Sequence, residues 1–226
     1  MKSINNYISE KLIINKNTGK KHYNYSPKTK EELQDIIEQR TIKEGNECNL
    51  NNIDISEIDD MSYLFSQSDF NGDISAWDVS NIRNMEGMFS GSHFNKDISE
   101  WDVSNVKNME FMFAKSEFNQ DISKWNVSNV KNMQGMFSYS IFNQDISEWN
   151  VSNVKYMFGM FACSKFNQDI SDWDVSNVKD MKSMFAHSKF NQDISEWDVS
   201  KVENMRHIFS KSPLEGKEKK WWGRTK

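Results

Sequence analysis

Two cysteines and two prolines in 226 residues leave little to work with in the way of covalent bracing or rigid linkers. Cys48 and Cys163 can close one bridge at most, so a disulfide framework is excluded and both read as free thiols. Four histidines, His22, His93, His187 and His207, are scattered, and no Cys or His spacing suits a metal. Nine glycines are too few for a fibrous or low-complexity chain. No apolar run approaches the roughly 18 residues of a membrane-spanning helix. The first residues, MKSINNYISEKLIINKNTGKK, lack the apolar stretch and small-residue cleavage site of a secretory signal. These absences predict a cytoplasmic location, or carriage in a virion, without a membrane span.

What is present is a phrase of 24 residues, FNGDISAWDVSNIRNMEGMFSGSH at 70–93, said six times without insertion or deletion. Trp77, Trp101, Trp125, Trp149, Trp173 and Trp197 share one column as structural core, and Phe70, Phe94, Phe118, Phe142, Phe166 and Phe190 another. Ile74-x-x-Trp77-x-Val79 ends in an alternation that predicts a short strand. Ile82, Met85, Met88 and Phe89 are spaced as one stripe of a short helix, and Ser80-Asn81 between them suits its N-cap. A lone repeat cannot bury its apolar face, so the copies must stack and share their cores.

The segment Ile74-x-x-Trp77-x-Val79-x-x-Ile82 fits the leucine-rich-repeat pattern. The fuller phrase FNQDISEWDVSNVxNMxxMF resembles the short repeats of BspA-like surface proteins, a class that recurs in mycoplasma lipoproteins and in phage and large-virus genomes. The match runs from about Ile53 to Ser212. The resemblance implies an α/β solenoid, a right-handed leucine-rich-repeat-like stack, with a binding or adhesive role and no catalytic site. An adhesin is disfavoured by the missing signal segment.

Three parts are expected: an N-terminal cap at 1–48, the repeats at 49–213 with a degenerate first coil, and a half-repeat with a basic tail at 214–226. In the cap, Lys11–Asn15 and His22–Tyr25 read as a hairpin. Thr29-x-x-Glu32 reads as a capping box opening a helix that faces Leu33, Ile36, Ile37 and Ile42 inward and stops at Gly45. At the far end Leu214 continues the Phe column and Trp221 the Trp column.

Four surfaces are candidates. The predicted strand would point an acidic strip outward: Asp78, Glu100, Asp102, Glu148, Asp172, Asp174, Glu196 and Asp198. A basic row beside it, Arg83, Lys107, Lys131, Lys155 and Lys179, would partly neutralise it. The Asn71/Asp73 pair, repeated in every copy, reads as turn and stack architecture, with calcium as an alternative. Apolar departures from consensus, Phe111, Tyr139, Ile141, Tyr156 and Phe158, fall in three successive copies and mark a protein-contact patch. The tail carries Lys217, Lys219, Lys220 and two tryptophans, which reads as a cap in preference to a nucleic-acid site.

Everything polar is repeated in lines, whereas catalysis needs unlike residues converging in a pocket. The sequence therefore predicts a non-enzymatic scaffold without cofactors that binds a protein along its side, with self-association possible. The alternatives are a structural or virion-associated component, which would self-associate, and an acidic mimic of nucleic acid that inhibits a DNA-binding protein.

Overall fold

The computed structural model describes residues 23–223. The predicted strand Lys11–Asn15 lies outside them, as does His22. Tyr25, at the end of the expected hairpin, bridges Ile53 in parallel.

Helix α1, Lys30–Glu44, begins where the capping box predicts. The Thr29 side chain accepts the Glu32 N–H at 3.2 Å, and Glu32 Oε2 accepts the Lys28 N–H at 2.7 Å. Gly45, at φ 86°, ends it. Leu33, Ile36 and Ile37 are buried against the first coil, while Ile42, expected inside, is 78% exposed. Lys30 Nζ donates to Ser62 Oγ at 2.6 Å, which pins the helix start to that coil. A six-residue helix α2, Lys217–Trp222, closes the other end.

Between these two helices the chain contains neither helix nor extended strand, which corrects the predicted strand-turn-helix repeat. The predicted helical stripe is a run of turns. Met88, Ser90 and Ser92 donate their N–H groups to Met85, Gly87 and Phe89 three residues back. The intervening N–H groups leave the coil altogether: Met85, Gly87, Phe89 and Gly91 donate at 2.7–2.9 Å to the carbonyls of Asn108, Glu110, Met112 and Ala114 in the next coil. Carbonyls of Asn84, Glu86, Met88 and Ser90 receive the same four bonds from the coil before. The backbone groups of this stretch are thus shared between local turns and neighbouring coils.

Two columns make the path possible. Residues equivalent to Gly87 have φ of 52–60° and those equivalent to Gly91 have φ of 55–66°, in every coil. A left-handed residue at every fourth position cannot belong to an α-helix. A helix of two turns would also be marginal alone, whereas the rungs bond to two neighbours.

The apolar columns form the shared core. Rings of Phe70 through Phe190 stack at 6.2–6.3 Å from coil to coil, and those of Phe65 through Phe209 at 5.6–5.8 Å. Each repeat tryptophan is buried, and its indole N–H donates to a carbonyl 27 residues earlier, from Trp77 on Leu50 to Trp197 on Ile170.

Candidate interaction faces

Polar columns are built into this backbone. Asn95, Asn119, Asn143, Asn167 and Asn191 donate their N–H groups at 2.8–2.9 Å to the side-chain oxygen of the asparagine one coil back. The aspartate two residues on caps its own turn, as Asp97 does by accepting the Ser99 N–H at 2.8 Å. The repeated Asn/Asp pair therefore ties turns and coils together, as the sequence suggested.

The acidic strip does not project from a strand. Asp78, Asp102, Asp174 and Asp198 accept the N–H of the serine two residues on, at 2.9–3.1 Å, so each carboxylate holds a turn with one oxygen while remaining exposed. The Ser176 hydroxyl and N–H hold the Asp174 carboxyl below its usual range. Glu100, Glu148, Asp172 and Glu196 are exposed beside them, with Lys124 interrupting the row 3.3 Å from Glu100. Asp145, Glu148, Asp169 and Asp172 line a shallow depression of about 240 Å³.

The basic row is exposed. Among the described residues Arg83, Lys107, Lys131 and Lys155 make no ion pair, and Lys179 pairs with Glu203 at 3.6 Å. The row's order comes from the backbone, where each N–H donates to the carbonyl of the preceding member at 2.9 Å.

The five apolar departures separate into two kinds. Phe111 is half-buried: it stands in the left-handed column of Gly87, and its ring lies where a Cβ of Gly135 would project. That packing gives Phe111 a role within the stack that the other four residues do not share. Tyr63 lies over Gly87 in the same way, a pairing the sequence reading missed. Its signal was the glycine that follows the aromatic residue 24 positions later in both cases.

Tyr139, Ile141 and Tyr156 are 60%, 41% and 45% exposed and sit on two successive coils. Tyr156 occupies the bridging column held by Asn or Asp elsewhere, such as Asn132, whose side chain accepts the Gln134 N–H at 3.0 Å. A tyrosine cannot make that bond, so this coil forgoes it. Phe158 is half-buried, with Lys182 Nζ 5.6 Å from its ring centre. Lys115 Nζ lies 5.8 Å from the Tyr139 ring. The Cys163 side chain, hydrogen-bonded to the Tyr139 hydroxyl, pushes the phenol above its ordinary pKa. No ring contact joins Phe111, Tyr139, Tyr156 and Phe158 among the described residues.

At the C-terminal end Trp222, not Trp221, takes over the tryptophan bond, donating to Ser195 at 3.3 Å. Both rings pack on Phe209, at 5.9 and 5.8 Å, because α2 turns the tail across the core.

A family model described as Mycoplasma protein of unknown function, DUF285, matches the chain twice, over residues 32–141 and 114–222. No curated protein and no solved structure matches it.

Proposed function

The chain belongs to the repeat family described as Mycoplasma protein of unknown function, DUF285, and from that premise we propose a non-enzymatic scaffold that binds a protein partner along the outer side of its turn ladder. In this reading the coils form a leucine-rich-repeat-type solenoid of the BspA-like kind. The observation that carries it is the trio Tyr139, Ile141 and Tyr156, large apolar side chains 41–60% exposed on successive coils. Tyrosine is enriched at the energetic centres of interfaces because its rigid ring covers area at low entropic cost. The backbone beneath the trio is bonded to coils on both sides, so little order is lost on docking. Lys115 and Lys182 flank the aromatic rings and suit a partner with acidic groups at the rim.

The experiment is a pull-down from cells of the source organism that compares wild type with Tyr139→Ser/Ile141→Ser/Tyr156→Ser and with Glu148→Lys/Asp172→Lys/Glu196→Lys. All three proteins are first checked for equal melting. The proposal expects a partner that wild type and the charge-reversed protein retain and the apolar triple variant loses. Retention by the triple variant and loss by the charge-reversed protein would move the site to the acidic strip. If both variants keep every partner, neither face binds.

A further inference from the structure

Six successive coils pass four N–H groups each to the next coil. The first row, Met61, Tyr63, Phe65 and Gln67, donates to Asn84, Glu86, Met88 and Ser90. The sixth row, Met181, Ser183, Phe185 and His187, donates to Asn204, Arg206, Ile208 and Ser210. The corresponding N–H groups of the following coil, on Met205, His207, Phe209 and Lys211, meet no acceptor among the described residues. An edge of unmatched donors at alternate positions is a template for pairing with another chain.

Helix α2 does not fill this edge. It stacks Trp221 and Trp222 on Phe209 and leaves a cavity of about 510 Å³ lined by Met205, Arg206, His207, Phe209, Glu215 and Glu218. One carboxylate oxygen of Glu218, Oε2, is buried there without a hydrogen-bond partner. The cavity thus borders three of the four residues with unmatched donors, Met205, His207 and Phe209.

We propose that this edge binds a peptide segment, which lays its carbonyls on the four N–H groups and extends the ladder by one rung. A peptide brings carbonyl acceptors at the alternate spacing of the row, as the preceding coils do for one another, whereas a polyanion meets the carboxylates of Glu215 and Glu218 as well as the Arg206 cation. The residue facing His207 is specified as well. In the same column Tyr63 lies over Gly87 and Phe111 over Gly135, where a Cβ would collide with the ring. His207, at φ 60° in that column, selects glycine in the incoming chain. This site is independent of the Tyr139 face.

The probe is a synthetic peptide of residues 131–140, KNMQGMFSYS, whose Asn132, Gln134, Met136 and Ser138 carbonyls already accept from Met109, Phe111, Phe113 and Lys115 inside the protein. Amide hydrogen exchange is followed residue by residue in the full chain. In the free protein the amides of Met205, His207, Phe209 and Lys211 exchange fast while those of Met181, Ser183, Phe185 and His187 are protected. Peptide at nine times its Kd slows the four edge amides about tenfold, and a scrambled peptide of the same composition leaves them fast. The proposal is overturned if the edge amides are already protected in the free protein, if neither peptide slows them, if both peptides slow them equally, or if a single-stranded oligonucleotide protects the same four.

Discussion

The indole N–H of Trp149 donates to the carbonyl of Ile122 at 3.1 Å, 27 residues back and one coil earlier. Five more tryptophans repeat the bond, and all six rings are only 3–4% exposed. Water cannot replace the donor at such a site. Trp149→Phe keeps an aromatic ring and removes one of the two bonds that the Ile122 carbonyl accepts, the Trp125 N–H at 3.1 Å remaining, which costs about 1 kcal/mol. Trp149→Ala empties the position as well and costs about 3–5 kcal/mol. Urea unfolding measures both, and a Phe variant as stable as wild type would show that the bond contributes nothing.

Gly135 and Gly159 share a column and a backbone angle, φ 60° and 59°, and differ in what lies above them. The Phe111 ring covers Gly135, while the nearest atom to a Cβ on Gly159 is the Ala162 Cβ at 3.8 Å. Gly159→Ala is expected to cost about 1 kcal/mol from the left-handed backbone alone. Gly135→Ala is expected to cost about 2 kcal/mol, because the ring must also move. In a Phe111→Ser background the two costs converge, a coupling of about 1 kcal/mol. Equal costs in the wild-type background would contradict the packing role given to Phe111.

Stability responds to pH through two groups of opposite sign. The hydrogen bond to Glu86 pushes the Tyr63 phenol from 10.0 up to about 12. A pKa raised on folding stabilises the protonated form, so the contribution is whole below pH 10 and is lost as the pH climbs toward 12. Asp174 is held below its ordinary 3.8, so its contribution is present above that pH and lost as the pH falls through the lower folded value. Tyr63→Phe is expected to flatten the alkaline limb of a stability profile. Asp174→Asn is expected to flatten part of the acid limb while keeping its turn, as Asn126 and Asn150 do by accepting the serine N–H at 3.2 and 3.1 Å. A steeper limb in either variant would reverse the assigned sign.

Asn143 works in both directions along the stack. Its N–H donates to Asn119 Oδ1 at 2.8 Å, and its own Oδ1 accepts the Asn167 N–H at 2.8 Å. Asn143→Ala removes the second bond and leaves the first, so it is expected to cost about 1 kcal/mol. Asn167 is the residue whose amide should exchange faster. Unchanged exchange at Asn167 would show that water replaces the side chain.

The period, the aromatic columns and the capping helix were legible because they depend on identity and register: Trp77 and its five counterparts are buried, and Thr29 caps α1. The path of the chain within a repeat was not. Ile82, Met85, Met88 and Phe89 carry helical spacing, but successive three-residue-back turns with a left-handed residue at every fourth position bury the same set. The discriminating signal was glycine at 87, 91, 135 and 159, in two columns four residues apart. Elsewhere those columns hold residues such as Lys115 and His187 that adopt the same φ, which hides the pattern. Tyr139, Ile141 and Tyr156, singled out as departures from the repeat, are exposed. The packing of Phe111 was not legible because its covered partner, Gly135, has no side chain to announce it.

The central claim is that each repeat adds one equal step along a single stack. Asp59, Lys155, Lys179 and Glu203 stand in one column, whose backbone links run from Arg83 on Asp59 to Glu203 on Lys179. Spin labels at position 59 paired with 155, 179 or 203, in a background with Cys48 and Cys163 replaced, measure the step directly by electron-spin distance spectroscopy. The account predicts backbone separations of about 19, 24 and 29 Å, rising by one strand spacing of about 4.8 Å per coil. Distances that level off, or fall as the sequence separation grows, would contradict it.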